Sequence, residues 1–133
     1  MVGIKVVSTG HAVPDKVVTN DDLSRVVDTN DEWIYSKTGI KERHFCENET
    51  NWELALKAAD TAIVRAGIDK SEIGMLIVAT FTPDYATPSI ACVLHEKMGL
   101  RTDIPSFDLN AACAGYVYLS LIHISEPTRQ EAI

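Results

Sequence analysis

The chain is poor in most features that would assign it quickly to a specialised class. Its 133 residues hold only three cysteines, Cys46, Cys92 and Cys113, and none sits in a C-x-x-C pair. That argues against a disulfide framework and the usual zinc patterns, and it points to a reducing compartment such as the cytoplasm. Basic residues are scarce: 12 Lys and Arg stand against 19 Asp and Glu, for a net charge of −7. A surface of that sign repels nucleic acid and anionic membranes, so neither is an expected partner. No apolar run approaches the roughly 20 residues of a membrane span. The opening MVGIKVVSTG lacks the long apolar region of a secretory signal. There is no low-complexity segment and no internal repeat.

What is present is the composition of a globular domain, 46% hydrophobic and 23% charged. The β-branched run Ile4–Ser8 reads as a strand that Gly10 ends, and HAVPDK reads as a turn. Thr19 and Asp22 have the spacing of a helix capping pair ahead of Leu23, Val26 and Val27. A second short helix is expected from about Thr29 to Gly39. TNWELALKAADTAIVRAG predicts the longest helix, opened by Thr50 and Glu53 and closed by Gly67, with Leu54, Ala58, Ala62 and Ala66 on one closely packing face. DKSEIG reads as a single turn. Met75–Ala79 is apolar at every position, which predicts a parallel strand covered on both faces. Thr87 and Pro88 read as the start of a helix running to Gly99. PSFDL then reads as a strand, and AACAGYVY as the beginning of another helix. Strands alternating with helices predict an α/β fold with a largely parallel sheet and helices on both faces. In such folds the site lies beyond the carboxyl ends of the strands.

Cys113 falls at that place. A thiol attacks as the thiolate, and the unpaired N–H groups of a helix start favour that form of a thiol. The neighbours Ala111, Ala112, Ala114 and Gly115 leave room for a carbonyl to approach sulfur and backbone donors. By residue type alone two readings stand, a nucleophile and a small packed core residue. Cys92, inside its helix, reads as core, and Cys46 carries no assigned role.

Four stretches favour the nucleophile. GIKVVSTGHAVPDKVVTNDDL, VDTNDEWIYSKTGIKERH, AGIDKSEIGMLIVATFTPDYATPSIACVLHEKMG and DLNAACAGYVY together resemble β-ketoacyl-acyl-carrier-protein synthase III, a condensing enzyme of the thiolase fold. The resemblance runs from Gly3 to Tyr118. It implies that residues 1–118 are most of the N-terminal half of a fold built from two similar α/β halves. It also implies that Cys113 is acylated by an acyl-CoA primer and condensed with malonyl-acyl carrier protein, in a cytoplasmic homodimer needing no cofactor beyond these substrates. Trp33 matches a Trp that stacks on the CoA adenine, and Thr29 a Thr that contacts the base. Lys37 stands where the family often has a phosphate-binding Arg; it keeps the charge and loses the planar fork. Lys41 and Arg43 extend this basic run and read equally as a solvated edge. Thr87 replaces a bulky aromatic found in some members, which implies a roomier acyl pocket. None of His11, His44 and His95 matches the family's catalytic His; His44 reads as structural and His95 as solvated.

The His and Asn that complete the family's site lie in a second half that these residues do not include. After Tyr118 the resemblance stops, and LSLIHISEPTR resembles a translated sequencing adaptor. Residues 119–133 are therefore expected to be non-native, and the chain alone to be inactive and unstable. Related starter-unit synthases of polyketide or alkylquinolone pathways remain alternatives. Hydroxymethylglutaryl-CoA synthase is disfavoured by DEWI…KERH. A non-catalytic acyl-binding module, with Cys113 merely packed, is the alternative of another kind.

Overall fold

The computed structural model describes residues 5–120. They form two compact units, one of residues 12–50 and one that combines the N-terminal stretch with residues from 51 onward.

In the unit of residues 12–50, β1 (Lys16–Thr19) pairs antiparallel with β2 (Glu42–Phe45), with Lys16 opposite Phe45 and Thr19 opposite Glu42. Neither strand is expected from sequence, since β1 overlaps the end of the predicted turn and its partner lies more than 20 residues away. Two helices fill that interval, α1 (Asn20–Ser24) and α2 (Asp31–Thr38). The Thr19–Asp22 capping box is present in both directions. α1 ends sooner than its apolar pattern suggests, because Arg25 already serves as the C-cap, and Val26 and Val27 lie exposed beyond it. α2 is capped by Asn30 rather than Thr29: the Asn30 side chain accepts from the Trp33 N–H at 2.8 Å. Gly39 ends α2 with φ of 70°, a left-handed conformation that glycine adopts without steric cost. Val18 and Ile34 are the buried apolar residues of this unit.

Glu49 ties the far end of the hairpin together. Its carboxylate accepts from the backbone N–H groups of Glu47 at 2.9 Å and of Asp15 and Asn48 at 3.2 Å each. These bonds, with Glu47 the strongest, pull its pKa from an ordinary 4.5 down to about 2. A depressed carboxylate pKa stabilises the fold fully above the unfolded value, and that contribution is lost as pH falls through the folded value. The window is therefore between pH 4.5 and about 2. Glu49→Gln is expected to flatten the acid limb of amide-exchange protection at Asp15, Glu47 and Asn48 across that window. Identical limbs in the two proteins would contradict this.

The other unit contains α3 (Asn51–Ala66), β3 (Leu76–Ala79), α4 (Ile90–Met98) and β4 (Ser106–Leu109), with short 3-10 turns at Lys70–Glu72 and Ala112–Ala114. β3 and β4 are parallel neighbours, Leu76 opposite Ser106 and Ala79 opposite Leu109, with α4 in the crossover. The parallel α/β organisation expected from sequence is thus present. The core is Ile90, Leu94, Met98, Leu100 and Ile104, packed on by Trp52, Leu56 and Ile63 of α3 and by Leu76 and Val78 of β3. β3 is only half-buried, so the expected cover on both of its faces is not supplied among the described residues.

The predicted strand at Ile4–Ser8 is corrected over its described part. Residues 5–8 form no strand, and Val6 and Val7 are exposed. β-branched residues make a strand only with a partner ladder, and this segment instead leads onto α3. Ser8 Oγ donates to the Ala62 carbonyl at 2.6 Å, and Arg65 Nη1 donates to the Thr9 carbonyl at 3.1 Å. A Cβ on Gly10 would collide with the Ala58 carbonyl oxygen. The small face of α3 predicted from Ala58 and Ala62 is therefore used for close approach, by this segment rather than by a sheet.

Carboxylates hold the starts of both long helices. Asp84 accepts from Asn51 N–H and Trp52 N–H, each at 2.9 Å, and so caps α3 from the loop after β3. Asp108 of β4 accepts from Ile90 N–H and Ala91 N–H, each at 2.8 Å, at the first turn of α4. Acidic groups there also complement the helix dipole. The start of α4 differs from the expectation. Ser89 is its N-cap, and Thr87–Pro88, joined by a cis peptide bond, precedes the cap. Gly99 ends α4 as expected.

Cys92 is exposed rather than core. The buried stripe of α4 is Ile90, Ala91, Leu94 and Met98, and at about 100° per residue Cys92 points away from it. His95 is likewise not solvated. Its Nε2 meets the Arg101 carbonyl at 2.8 Å and its Nδ1 meets Ser106 Oγ at 2.9 Å, which pins α4 to β4.

Residues 115–120 are helical, while residues 121–133, most of the tail expected to be non-native, lie outside the described residues. No described helix is long and apolar enough to cross a membrane.

Candidate active site

β4 delivers Cys113. The strand ends at Leu109, and after Asn110 and Ala111 the chain turns through the 3-10 segment Ala112–Ala114 into the helical residues from 115 onward. Cys113 thus sits inside a tight turn just ahead of the helix, where the sequence predicts a helix start. The turn is closed by Ala114 N–H donating to the Ala111 carbonyl at 2.9 Å. Ala112, the residue before Cys113, has φ of +43°, the only non-glycine positive φ among the described residues. A left-handed alanine costs about 1–2 kcal/mol, and such strain persists where the surrounding structure enforces it.

Two contacts flank the turn. A Cβ on Gly115 would lie 3.2 Å from Ala79 Cβ, a tight approach that glycine avoids as the turn sits against the end of β3. On the other side, Asp108 fixes β4 to the start of α4. The result is an exposed sulfur at the carboxyl ends of two parallel strands, ringed by small side chains. All three cysteines are free and exposed, but only Cys113 stands in a strained turn at the strand ends.

In the unit of residues 12–50, Trp33 and Lys37 lie four residues apart on α2, hence on one side of the helix. Trp33 is 59% exposed, unusual for the largest side chain. It lines an open cleft of about 300 Å³ with Asn30, Glu32 and Ser36. Lys37 is exposed. Thr29 precedes the Asn30 cap, and its Oγ1 is buried with no hydrogen-bond partner. The basic run divides. Lys41 stacks over the Tyr35 ring at 5.4 Å from its centroid. Arg43 is engaged internally, with Nη2 donating to Asn20 Oδ1 at 2.6 Å and Nη1 to the Val18 carbonyl at 3.2 Å. His44 is structural as expected, its Nδ1 2.6 Å from the Pro14 carbonyl oxygen. Among the described residues, no group of His, Cys, Asp and Glu is arranged to hold a metal ion.

Two residues escape the sequence reading. Asp108 carries a signal that was there to use: an acid in the short apolar strand PSFDL needs a partner when it is covered. Asn20 carries none, because its partners lie 11 to 23 residues away.

No family model matches the chain. The matches to whole proteins are extensive. The architecture matches the condensing enzyme from Aquifex aeolicus, 3-oxoacyl-[acyl-carrier-protein] synthase III, with a TM-score of 0.85 at 40% identity, over 90% of this chain and 39% of that one. It also matches a priming β-ketosynthase of a polyketide biosynthetic pathway, with a TM-score of 0.81 at 32% identity, over 89% of this chain and 35% of that one. Together with the Cys113 turn, these matches place the described residues in the N-terminal portion of a thiolase-type condensing-enzyme fold. Within that class the chain is a homologue of β-ketoacyl-[acyl-carrier-protein] synthase III. It is 49% identical over 118 residues to the protein of that name from Clostridium acetobutylicum, covering 89% of this chain. The chain spans 36% of the length of that relative.

Proposed function

We propose that a full-length protein carrying this segment is a β-ketoacyl-acyl-carrier-protein synthase III, with Cys113 as its nucleophile. The Cys113 thiolate attacks the thioester carbonyl of an acyl-CoA primer, the C–S bond to CoA breaks, and free CoA leaves. Malonyl-acyl carrier protein then loses CO₂, and the resulting carbanion attacks the acyl-Cys113 carbonyl. The new carbon–carbon bond releases β-ketoacyl-acyl carrier protein and restores the thiolate. Splitting one condensation into two steps is the benefit of covalent catalysis. Backbone N–H groups at the turn, that of Cys113 included, hold the oxyanion of each tetrahedral intermediate. The His and Asn that assist decarboxylation come from residues outside this segment.

The observation that carries this reading is the strained turn at Ala112, which holds an exposed Cys113 at the end of β4 among alanines and a glycine. A merely packed cysteine would need neither strain nor exposure. The exposed Trp33 on its open cleft supports stacking of the CoA adenine, Lys37 supplies charge for a phosphate, and the contact of Thr29 to the base rests on the family resemblance alone. The enzyme needs no cofactor beyond its substrates, is cytoplasmic, and works as a homodimer. The match to a polyketide priming synthase favours one second reading, a starter-unit role with the same Cys113 chemistry and a different acceptor.

The test is alkylation of Cys113 in the full-length protein. Rapid labelling that acyl-CoA prevents is expected. Slow labelling, indifferent to acyl-CoA, would instead support a binding module with a packed cysteine.

A further inference from the structure

Asn20 is the most deeply buried polar residue described, at 1% exposure, and nothing in the proposed chemistry uses it. Every hydrogen-bonding group of its side chain is engaged. Nδ2 donates to Asp31 Oδ1 at 2.7 Å and to the Ile40 carbonyl at 2.8 Å, and Oδ1 accepts from Arg43 Nη2 at 2.6 Å. Its backbone N–H donates to the Lys41 carbonyl at 3.2 Å. Asp31 is the first residue of α2, and Ile40 lies just past Gly39, which ends that helix. One amide group therefore grips both ends of α2, while Arg43 fixes the same amide to β2.

We infer that Asn20 is a positioning residue that sets the axial rotation of α2, and with it the face bearing Trp33 and Lys37. α2 has little else to define that rotation. It is eight residues long, and Ile34 is its one buried residue. A helix anchored by a single apolar side chain can roll about it. Two hydrogen bonds at opposite ends, from one buried group, remove that freedom. Pre-setting a binding face lowers the ordering cost of binding, so loss of the grip should weaken whatever docks on Trp33. The inference rests on the adenine-nucleotide reading of α2 proposed above.

The test compares, in the full-length enzyme, kcat/KM for an accepted acyl-CoA with kcat/KM for the matching acyl-pantetheine, which lacks the nucleotide. Asn20→Ser is expected to lower the ratio of the two about tenfold, a loss of roughly one well-placed contact, and Trp33→Ala is expected to lower it as well. If Trp33→Ala lowers the ratio and Asn20→Ser does not, the positioning role is overturned while the nucleotide reading stands. If Trp33→Ala leaves the ratio unchanged, the nucleotide reading falls and this inference with it. An equal loss for both substrates in Asn20→Ser marks a general structural role and also overturns it. Should Asn20→Ser not fold, Asp31→Ala removes the acceptor at the exposed start of α2. It carries the same expected fall, and an unchanged ratio there overturns the inference.

Discussion

Replacing Cys113 with alanine in a full-length protein is expected to lower acyl transfer on the order of a thousandfold or more, the scale seen when a covalent nucleophile is removed. The loss should appear in both halves of the reaction, because the sulfur that accepts the primer also presents it to the carbanion. The substitution is close to isosteric and should leave folding intact: Cys113 is exposed and none of the hydrogen bonds that close its turn involves its side chain. Primer transfer from acyl-CoA and formation of β-ketoacyl-acyl carrier protein, assayed separately, check this. A Cys113→Ala protein that still condenses at near-normal rate would remove the proposed mechanism. Cys92, also exposed, serves as the control, and Cys92→Ala is expected to leave both assays unchanged.

The second large effect is on stability. Asp108→Ala should cost about 3 kcal/mol, because two N–H groups at the start of α4 lose a charged acceptor together. Ile90 and Ala91, which carry those groups, are both 0% exposed, so water cannot replace the carboxylate cheaply. Asp108→Asn retains one acceptor and no charge and should fall between the two. Ser89→Ala calibrates the series. It removes the side-chain cap on Cys92 N–H at 3.2 Å without touching β4, and should cost about 1 kcal/mol. Denaturant midpoints of the full-length variants measure all three. If Asp108→Ala costs no more than Ser89→Ala, the link from β4 to α4 is not what steadies the end of β4. Since β4 leads directly into the Ala112 turn, slower alkylation of Cys113 should accompany the loss.

The elements legible in the sequence were those whose signals are local. The capping box at Thr19 and Asp22 and the left-handed glycines after α2, α3 and α4 rest on contacts within a few residues. Misreadings arose where distant partners decide. The β1–β2 ladder joins residues 23 to 29 apart, beyond any turn signal. The Ile4–Ser8 run has strand-forming residues, yet over residues 5–8 it lacks a ladder and leads onto α3 instead. Thr29 and Thr87 each looked like caps because threonine caps well, but Asn30 and Ser89, one and two residues on, have the geometry to reach the third N–H. Residue type alone misplaces Cys92 and His95: the buried stripe of α4 leaves Cys92 outside it, and partners on Arg101 and Ser106 hold His95. At the candidate site, the position of Cys113 was readable from strand–turn–helix order and small neighbours. The strain at Ala112 was not, because nothing in AACAG marks which alanine takes a positive φ.

The central claim is that Cys113 forms a thioester, and the most direct measurement is the mass of the full-length protein after incubation with an acyl-CoA and no malonyl donor. The account predicts one acyl group per chain, located by peptide mapping to Cys113 and discharged when malonyl-acyl carrier protein is added. An unmodified protein, or an acyl group found on Cys46 or Cys92 instead, would contradict it.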